Sequence, residues 1–301
     1  MAALRPDHPR LLDLKRRYAG HPAAVASVWT EEFVARDLTL PRFRADNAYI
    51  WQTRDLVVST SAGESHLAAA GEANYLLAAY YARSVDELGL LERLADDGAF
   101  GAVVVPVAEG WAVTRDLLDS VLEINFLARH LDIASRDGLE LLDVGAGYGR
   151  LAHRLTEGLA NLSRVLCTDA VAQSTFVSDF YLRFRGAAPR AEVVPLDEID
   201  ARLAAASVAI AANVCSFAEC PLTAIGWWLD LLAAHDVAHI FIVANTPDLH
   251  STEADGRPLD YKPTLRSLGY HEIALEPKYA RSPGVQRYGL YPAYYHLYRR
   301  G

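Results

Sequence analysis

Glu140-Leu-Leu-Asp-Val-Gly-Ala-Gly-Tyr-Gly-Arg150 is the stretch on which the reading of this chain turns. An apolar run over 139–144 leads straight into three glycines, Gly145, Gly147 and Gly149, each one residue from the next, and a helical pattern begins at Leu151. Glycines at a strand-to-helix turn let the backbone bend sharply and bring main-chain atoms against a ligand. In an open α/β sheet that turn lies in the crevice beyond the strand's carboxyl end, where ligands bind. A tightly packed turn with no ligand is the plain alternative. The strand before it, the helix after it and the flanking Asp143 favour a binding site.

Working outward, the same rhythm continues to the end of the chain. Apolar runs at 139–144, 164–168, 192–194, 208–214 and 238–244 are short and nearly uniform, as strands covered on both faces are. Helical segments at 151–159, 176–185 and 223–234 fit between them. Alternating strands and helices predict an α/β fold with a doubly wound, mostly parallel sheet. The last two runs, 271–274 and 294–298, are different. Tyr294-Tyr-His-Leu-Tyr298 alternates and is aromatic-rich, which predicts an antiparallel hairpin at the C-terminal sheet edge.

Before residue 138 the pattern is mainly helical. Leu11, Leu12, Leu14 and Tyr18 share a helical stripe, as do Val25, Val28, Trp29 and Phe33. Residues 64–83 read as a further helix, Ser84-Val-Asp-Glu87 as a capping box opening another, and 100–107 as a strand. Thr114 reads as the N-cap of a helix through Leu131. The expected organisation is therefore a helical cap over 1–137 and an α/β domain over 138–301.

Composition sets bounds. The chain has 301 residues, 51% of them hydrophobic, and a formal net charge of -9. Lysine occurs only at Lys15, Lys262 and Lys278, and no basic run tracks a phosphate backbone, so nucleic acid is not the expected partner. Three cysteines, Cys167, Cys215 and Cys220, without paired spacing argue against a disulfide framework or a zinc site. Charged residues interrupt the N-terminal segment, and no apolar run approaches the ~18 residues of a membrane span. The expectation is a cytoplasmic protein that binds neither membrane nor nucleic acid.

The spacing of the turn bears on the ligand. The dinucleotide fingerprint is G-x-G-x-x-G, whereas here the third glycine comes one residue early, and Asp143 precedes the first by two positions. Asp169 ends the next strand 20 residues past Gly149, where a carboxylate can accept from a ribose diol. Acidic-x-G-x-G-x-G resembles the first motif of the class I S-adenosylmethionine-dependent methyltransferases. That resemblance implies a Rossmann-like methyltransferase sheet with S-adenosylmethionine as cofactor and S-adenosylhomocysteine as product. It implies that Gly145, Ala146, Gly147, Tyr148 and Gly149 lie along the methionine half, with Asp143 supporting its amino group and Asp169 with Ala170 at the ribose. Leu196 and Asp197, after the third strand, would meet adenine, and Asn213 would present its carbonyl near the reacting centre.

Further segments narrow the resemblance. Phe43-Arg-Ala-Asp-Asn-Ala-Tyr-Ile-Trp-Gln52, Thr114-Arg-Asp-Leu-Leu-Asp-Ser-Val-Leu-Glu-Ile-Asn-Phe-Leu127, Gly147-Tyr-Gly-Arg-Leu-Ala-His153, Ser178-Asp-Phe-Tyr-Leu182 and the residues from Asn213 to Glu219 resemble bacterial sugar O-methyltransferases. The family implies methyl transfer to a sugar or glycoside hydroxyl, with N-terminal helices forming the acceptor site. Asn47, Tyr49 and Trp51 suit a sugar there, an amide beside aromatic faces, and equally suit a packed cap.

A protonated sugar hydroxyl is a poor nucleophile, so a general base or a metal ion should assist. Two candidates for the base follow the fourth and fifth strands: Glu219, and His250 in the polar segment 245–255. Asp248, Glu253 and Asp255 with His250 could hold Mg²⁺, although a solvated acidic loop explains them better, and no metal residue is assigned. His153, one turn into its helix, reads as structural. Other readings stay open: a methyltransferase for a non-sugar molecule, an NAD(P)-dependent oxidoreductase or epimerase, or a non-catalytic cofactor-binding protein. The helical N-terminal part offers a surface for a homodimer.

Overall fold

The computed structural model describes residues 4–45 and 65–301. Helices α1 (Pro9–Tyr18), α2 (Glu31–Asp37), α3 (Ser65–Val85) and α4 (Leu90–Arg93) come first. A hairpin of β1 (Val105–Ala108) and β2 (Trp111–Val113) leads into the long helix α5 (Arg115–Leu131). The alternating part then runs β3 (Leu139–Val144), α6 (Arg150–Gly158), β4 (Leu162–Thr168), α7 (Ala172–Phe184), β5 (Ala191–Val193), α8 (Ile199–Ala204) and β6 (Val208–Val214). It ends with α9 (Leu222–Ala234), β7 (His239–Ala244), α10 (Lys262–Ser267), β8 (Tyr270–Pro277), α11 (Pro283–Tyr288) and β9 (Tyr294–Arg300).

Strand β3 is the third of a seven-stranded sheet ordered β5-β4-β3-β6-β7-β9-β8. The first five of these strands are parallel, and β9 lies antiparallel between β7 and β8. This is the expected doubly wound, Rossmann-like sheet with an antiparallel C-terminal edge. Its uniform apolar strands have the physical cause inferred from sequence: Leu141, Leu142, Val165, Leu166, Ile210 and Ile240 are all buried, with helices on both faces. The strand order reverses at β3 and β6, so the crevice opens at the carboxyl end of β3, where the glycine turn sits.

The N-terminal part departs from expectation in detail. Helix α3 continues through Ser84, whose hydroxyl donates to the Tyr81 carbonyl at 2.7 Å, so no capping box opens there; buried Tyr81, Ala82 and Val85 keep that last turn helical. The short α4 begins instead after Gly89, whose φ of 62° is left-handed. The 25–33 stripe is broken: α2 starts only at Glu31, with the Thr30 hydroxyl accepting from the Phe33 amide, and Val25 is exposed. The strand expected at 100–107 is the β1–β2 hairpin.

Residue 138 marks a change of rhythm, yet the buried apolar side chains form one cluster across it. Helix α5 is a covering helix of the sheet itself: Phe126 stacks on Phe241 at 5.2 Å and meets Tyr295 edge-on. Helix α1 packs on α7, and the turn at Pro22–Ala24 packs on α9. The N-terminal segment therefore lies across the mouth of the crevice.

Candidate active site

The crevice holds a cavity of about 750 Å³, inside the roughly 300–1,000 Å³ range of small-molecule sites. Its floor is the glycine turn. Gly145, Gly147 and Gly149 all have positive φ. A Cβ on Gly145 would lie 2.1 Å from the Ser216 hydroxyl oxygen, so this glycine permits a close approach of the loop after β6. Gly149 serves packing: its Cβ would crowd Ser178 and Leu182 of α7, and it does not face the cavity. Gly145, Ala146, Gly147 and Tyr148 do face it.

Two carboxylates bracket the floor. Asp143 is 3% exposed, lines the cavity and accepts no hydrogen bond from any described residue. Burial, with Glu123 and Asp169 nearby, pushes its carboxyl up to about 7 despite the opposing charge of Arg150. Asp169 is buried beside Ala170; it accepts from the Gly147 amide at 2.9 Å and the Val171 amide at 2.7 Å, so it clamps the two turns together. Burial raises its carboxyl to about 6, the two amides restraining the rise.

Glu219 lies on another wall of the cavity. It ends a short helical turn after β6, half-buried on the cavity wall, and its Oε2 accepts from the Trp29 indole N–H at 2.6 Å. Burial lifts its carboxyl to about 7, the Trp29 donation working against the rise. The Ser27 hydroxyl donates to the Glu219 backbone carbonyl at 3.0 Å, so the N-terminal segment holds this turn at two points. Asn213 anchors it from below. Its amide nitrogen donates to the Val144 carbonyl and its oxygen accepts from the Phe217 amide, both at 2.9 Å, so Asn213 joins β3 to β6 and does not line the cavity.

Other sequence-derived candidates lie apart. His250 is exposed, pairs across an isolated bridge with Asp260 and lines no part of the cavity. Leu196 is buried with its amide donating to the Tyr18 hydroxyl at 2.8 Å, and Asp197 is held by Arg17 at 2.7 and 2.8 Å; neither reaches the cavity wall. Asn47, Tyr49 and Trp51 fall outside the described residues. His153 is buried against the Tyr181 hydroxyl, and burial pushes its pKa down to about 3, so it stays neutral. Glu253 accepts from the Leu222 amide opening α9, and Asp248 pairs with Lys262. Among the described residues no three His, Cys, Asp or Glu side chains gather as a metal site.

A further wall, built on α5, carries no residue singled out from the sequence. Arg115, Asp119 and Glu123 are spaced four apart on one face of α5 and all line the cavity. Glu123 takes both terminal nitrogens of Arg150 at 2.9 and 3.0 Å. Asp119 accepts from Arg115 Nε at 3.1 Å and from Lys278 Nζ. Charged residues repeating every four positions on a helix that packs on a sheet were the available signal, since buried charge is rare without a task. Tyr18 and Tyr291 also line the cavity. Cys215 and Cys220 do too, but burial raises both thiols to about 12, so neither is a nucleophile at neutral pH.

No helix among the described residues is long and apolar enough to cross a membrane. No family model matches the sequence, and no curated protein does. Among solved structures, the chain is similar to magnesium protoporphyrin IX methyltransferase (ChlM) from Synechocystis PCC 6803 with bound SAM, at 12% identity and a TM-score of 0.44 over 75% of this chain and 97% of that one. Precorrin-6y C5,15-methyltransferase from Geobacter metallireducens GS-15 matches at 15% identity and a TM-score of 0.40, over 60% and 87%. TrmK from M. capricolum, in complex with S-adenosyl-homocysteine, matches at 10% and 0.38, over 60% and 68%. Scores this low leave function to the geometry of the site itself.

Proposed function

We propose that this chain is an S-adenosylmethionine-dependent O-methyltransferase for a hydroxyl of a small polar acceptor, a sugar or glycoside. The observation that carries the reading is Asp143, a buried carboxylate on the cavity wall beside the glycine turn that accepts no hydrogen bond from any described residue. A buried carboxylate without a partner is costly, and a cationic ligand relieves it. The ammonium of the methionine half is such a cation. Gly147 leaves the chain free of a side chain beside it, and Asp169 keeps a lone pair for a ribose diol after taking two amides and the Ser174 hydroxyl. S-Adenosylmethionine is thus the cofactor and S-adenosylhomocysteine the product.

When bound, the cofactor supplies an electrophilic methyl group on a sulfonium. The chain supplies position and a proton acceptor. The N-terminal segment, from Tyr18 through Trp29 to Leu38, lines the cavity and narrows its access to water. Holding the acceptor oxygen in line contributes up to ~7–11 kcal/mol of the barrier. Glu219 takes the hydroxyl proton: its carboxyl near 7 suits a general base at neutral pH, and Trp29 holds only one of its oxygens. Residues 1–137 thereby act as the cap of an acceptor site, to which Asn47, Tyr49 and Trp51 belong.

The test is labelled methyl transfer from S-adenosylmethionine to sugars and glycosides. Transfer to at least one hydroxyl, lost in Glu219→Gln with S-adenosylhomocysteine binding retained, supports the reading. Binding of NAD(P) in place of S-adenosylhomocysteine refutes it.

A further inference from the structure

We infer that the acceptor carries a carboxylate, and that Arg115 is the residue that receives it; this deepens the methyltransferase reading and rests on it. Arg115 is 7% exposed and lines the cavity. Its Nε donates to Asp119 at 3.1 Å, while its two terminal nitrogens have no partner among the described residues. A guanidinium that is nine-tenths buried and fixed through Nε presents its remaining edge as a fork, matched to a planar oxyanion.

The fork is held from both sides. The guanidinium carbon lies 4.0 Å from the centre of the Tyr291 ring. Tyr291 is itself set in a left-handed backbone, φ 43°, which a bulky residue adopts only when its surroundings enforce it. Lys278 enforces it, donating to the carbonyls of Leu290 at 3.1 Å and Tyr291 at 3.3 Å and to Asp119. All three ammonium protons of Lys278 are therefore used, which makes it a positioning residue for this wall.

Charge selects the ligand. Arg115 and Lys278 share the single carboxylate Asp119, and Arg150 is matched by Glu123. The wall is left with one net positive charge in a buried setting, which a singly charged carboxylate neutralises and a neutral sugar does not. A phosphate dianion would exceed it. The cofactor's own carboxylate is the competing occupant. Arg115 lies two helical turns, ~12 Å along α5, from the Glu123–Arg150 pair that adjoins the glycine turn, and this places the fork on the acceptor side.

The experiment uses the full chain saturated with S-adenosylhomocysteine and measures binding of D-glucuronate, D-galacturonate and D-glycerate, each beside its neutral amide, with glucose 6-phosphate as a further arm. At least one acid should bind tenfold or more tighter than its amide. Arg115→Met should remove that preference and Arg115→Lys should keep part of it, with S-adenosylhomocysteine affinity within twofold of the original in both. Equal binding of every acid and amide overturns the inference, as does tighter binding of the phosphate. A tenfold loss of S-adenosylhomocysteine affinity in Arg115→Met also overturns it, assigning the fork to the cofactor. Failure of the original chain to bind S-adenosylhomocysteine at all would instead refute the underlying methyltransferase reading.

Discussion

Asp143→Asn separates a ligand site from a structural carboxylate, because the two roles move stability and affinity in opposite directions. Burial has raised this carboxyl from 3.8 to about 7, which corresponds to about 4 kcal/mol between its protonation states. Between those values the folded chain holds a proton that the unfolded chain has released. Stability therefore falls as pH rises from about 4 to 7, and the deficit is complete above pH 7. Asparagine has no such deficit, so the ligand-free variant should melt higher than the original chain at pH 8 and close to it at pH 4. Affinity should move the other way. A hydrogen bond to a charged group is worth about 1.5–3 kcal/mol, so S-adenosylhomocysteine should bind roughly 10- to 150-fold more weakly. Because ligand binding requires the ionised form, the original chain should bind about eightfold tighter at pH 7.5 than at pH 6. The variant should lose that slope, retaining only what Asp169 and Glu219 contribute. Calorimetry in two buffers of different ionisation enthalpy reads both the affinity and the released proton. Unchanged affinity and slope, together with a lower melting temperature at pH 8, would refute the reasoning.

The other predictions follow from single contacts. Gly145→Ala places a Cβ against Ser216 at a φ of 71°, so it should abolish S-adenosylhomocysteine binding, and a second change, Ser216→Gly, should restore part of it; the left-handed backbone alone costs about 1–2 kcal/mol. Trp29→Phe removes the indole donation that restrains Glu219, so the basic form should require higher pH and the rising limb of the pH–rate profile should move upward. Glu219→Gln should lower kcat by roughly 10²–10⁴ at unchanged S-adenosylhomocysteine affinity, whereas His250→Ala, exposed and off the cavity, should leave turnover within about twofold. Arg44→Met should lower stability by about 3–5 kcal/mol, read by urea denaturation, since it strips the guanidinium from buried Asp96 and Asp116.

What was legible in the sequence was what depends on local order along the chain. Apolar strands alternating with helices fixed the sheet, and the spacing of Gly145, Gly147 and Gly149 with Asp143 and Asp169 located the crevice. These residues sit at strand ends, so sequence position alone determines their edge of the sheet. Leu196, Asp197 and His250 obey the same positional logic, but the chain holds them off the cavity: Arg17 takes the Asp197 carboxylate, the Tyr18 hydroxyl takes the Leu196 amide, and the His250 backbone bridges to Asp260. The wall of Arg115, Lys278 and Tyr291 was illegible for the same reason. Arg115, Lys278 and Tyr291 come from one early helix and the last hairpin, and only the insertion of β9 beside β7 brings them together. The broken 25–33 stripe is a further case: the Trp29 indole is drawn to Glu219, 190 residues away.

The most direct test is equilibrium binding of S-adenosylhomocysteine, NAD⁺ and NADP⁺ to the unmodified chain at pH 7.5. One molecule of S-adenosylhomocysteine per chain, with neither nicotinamide cofactor competing, is the predicted result. Nicotinamide cofactor binding with no S-adenosylhomocysteine binding would contradict it.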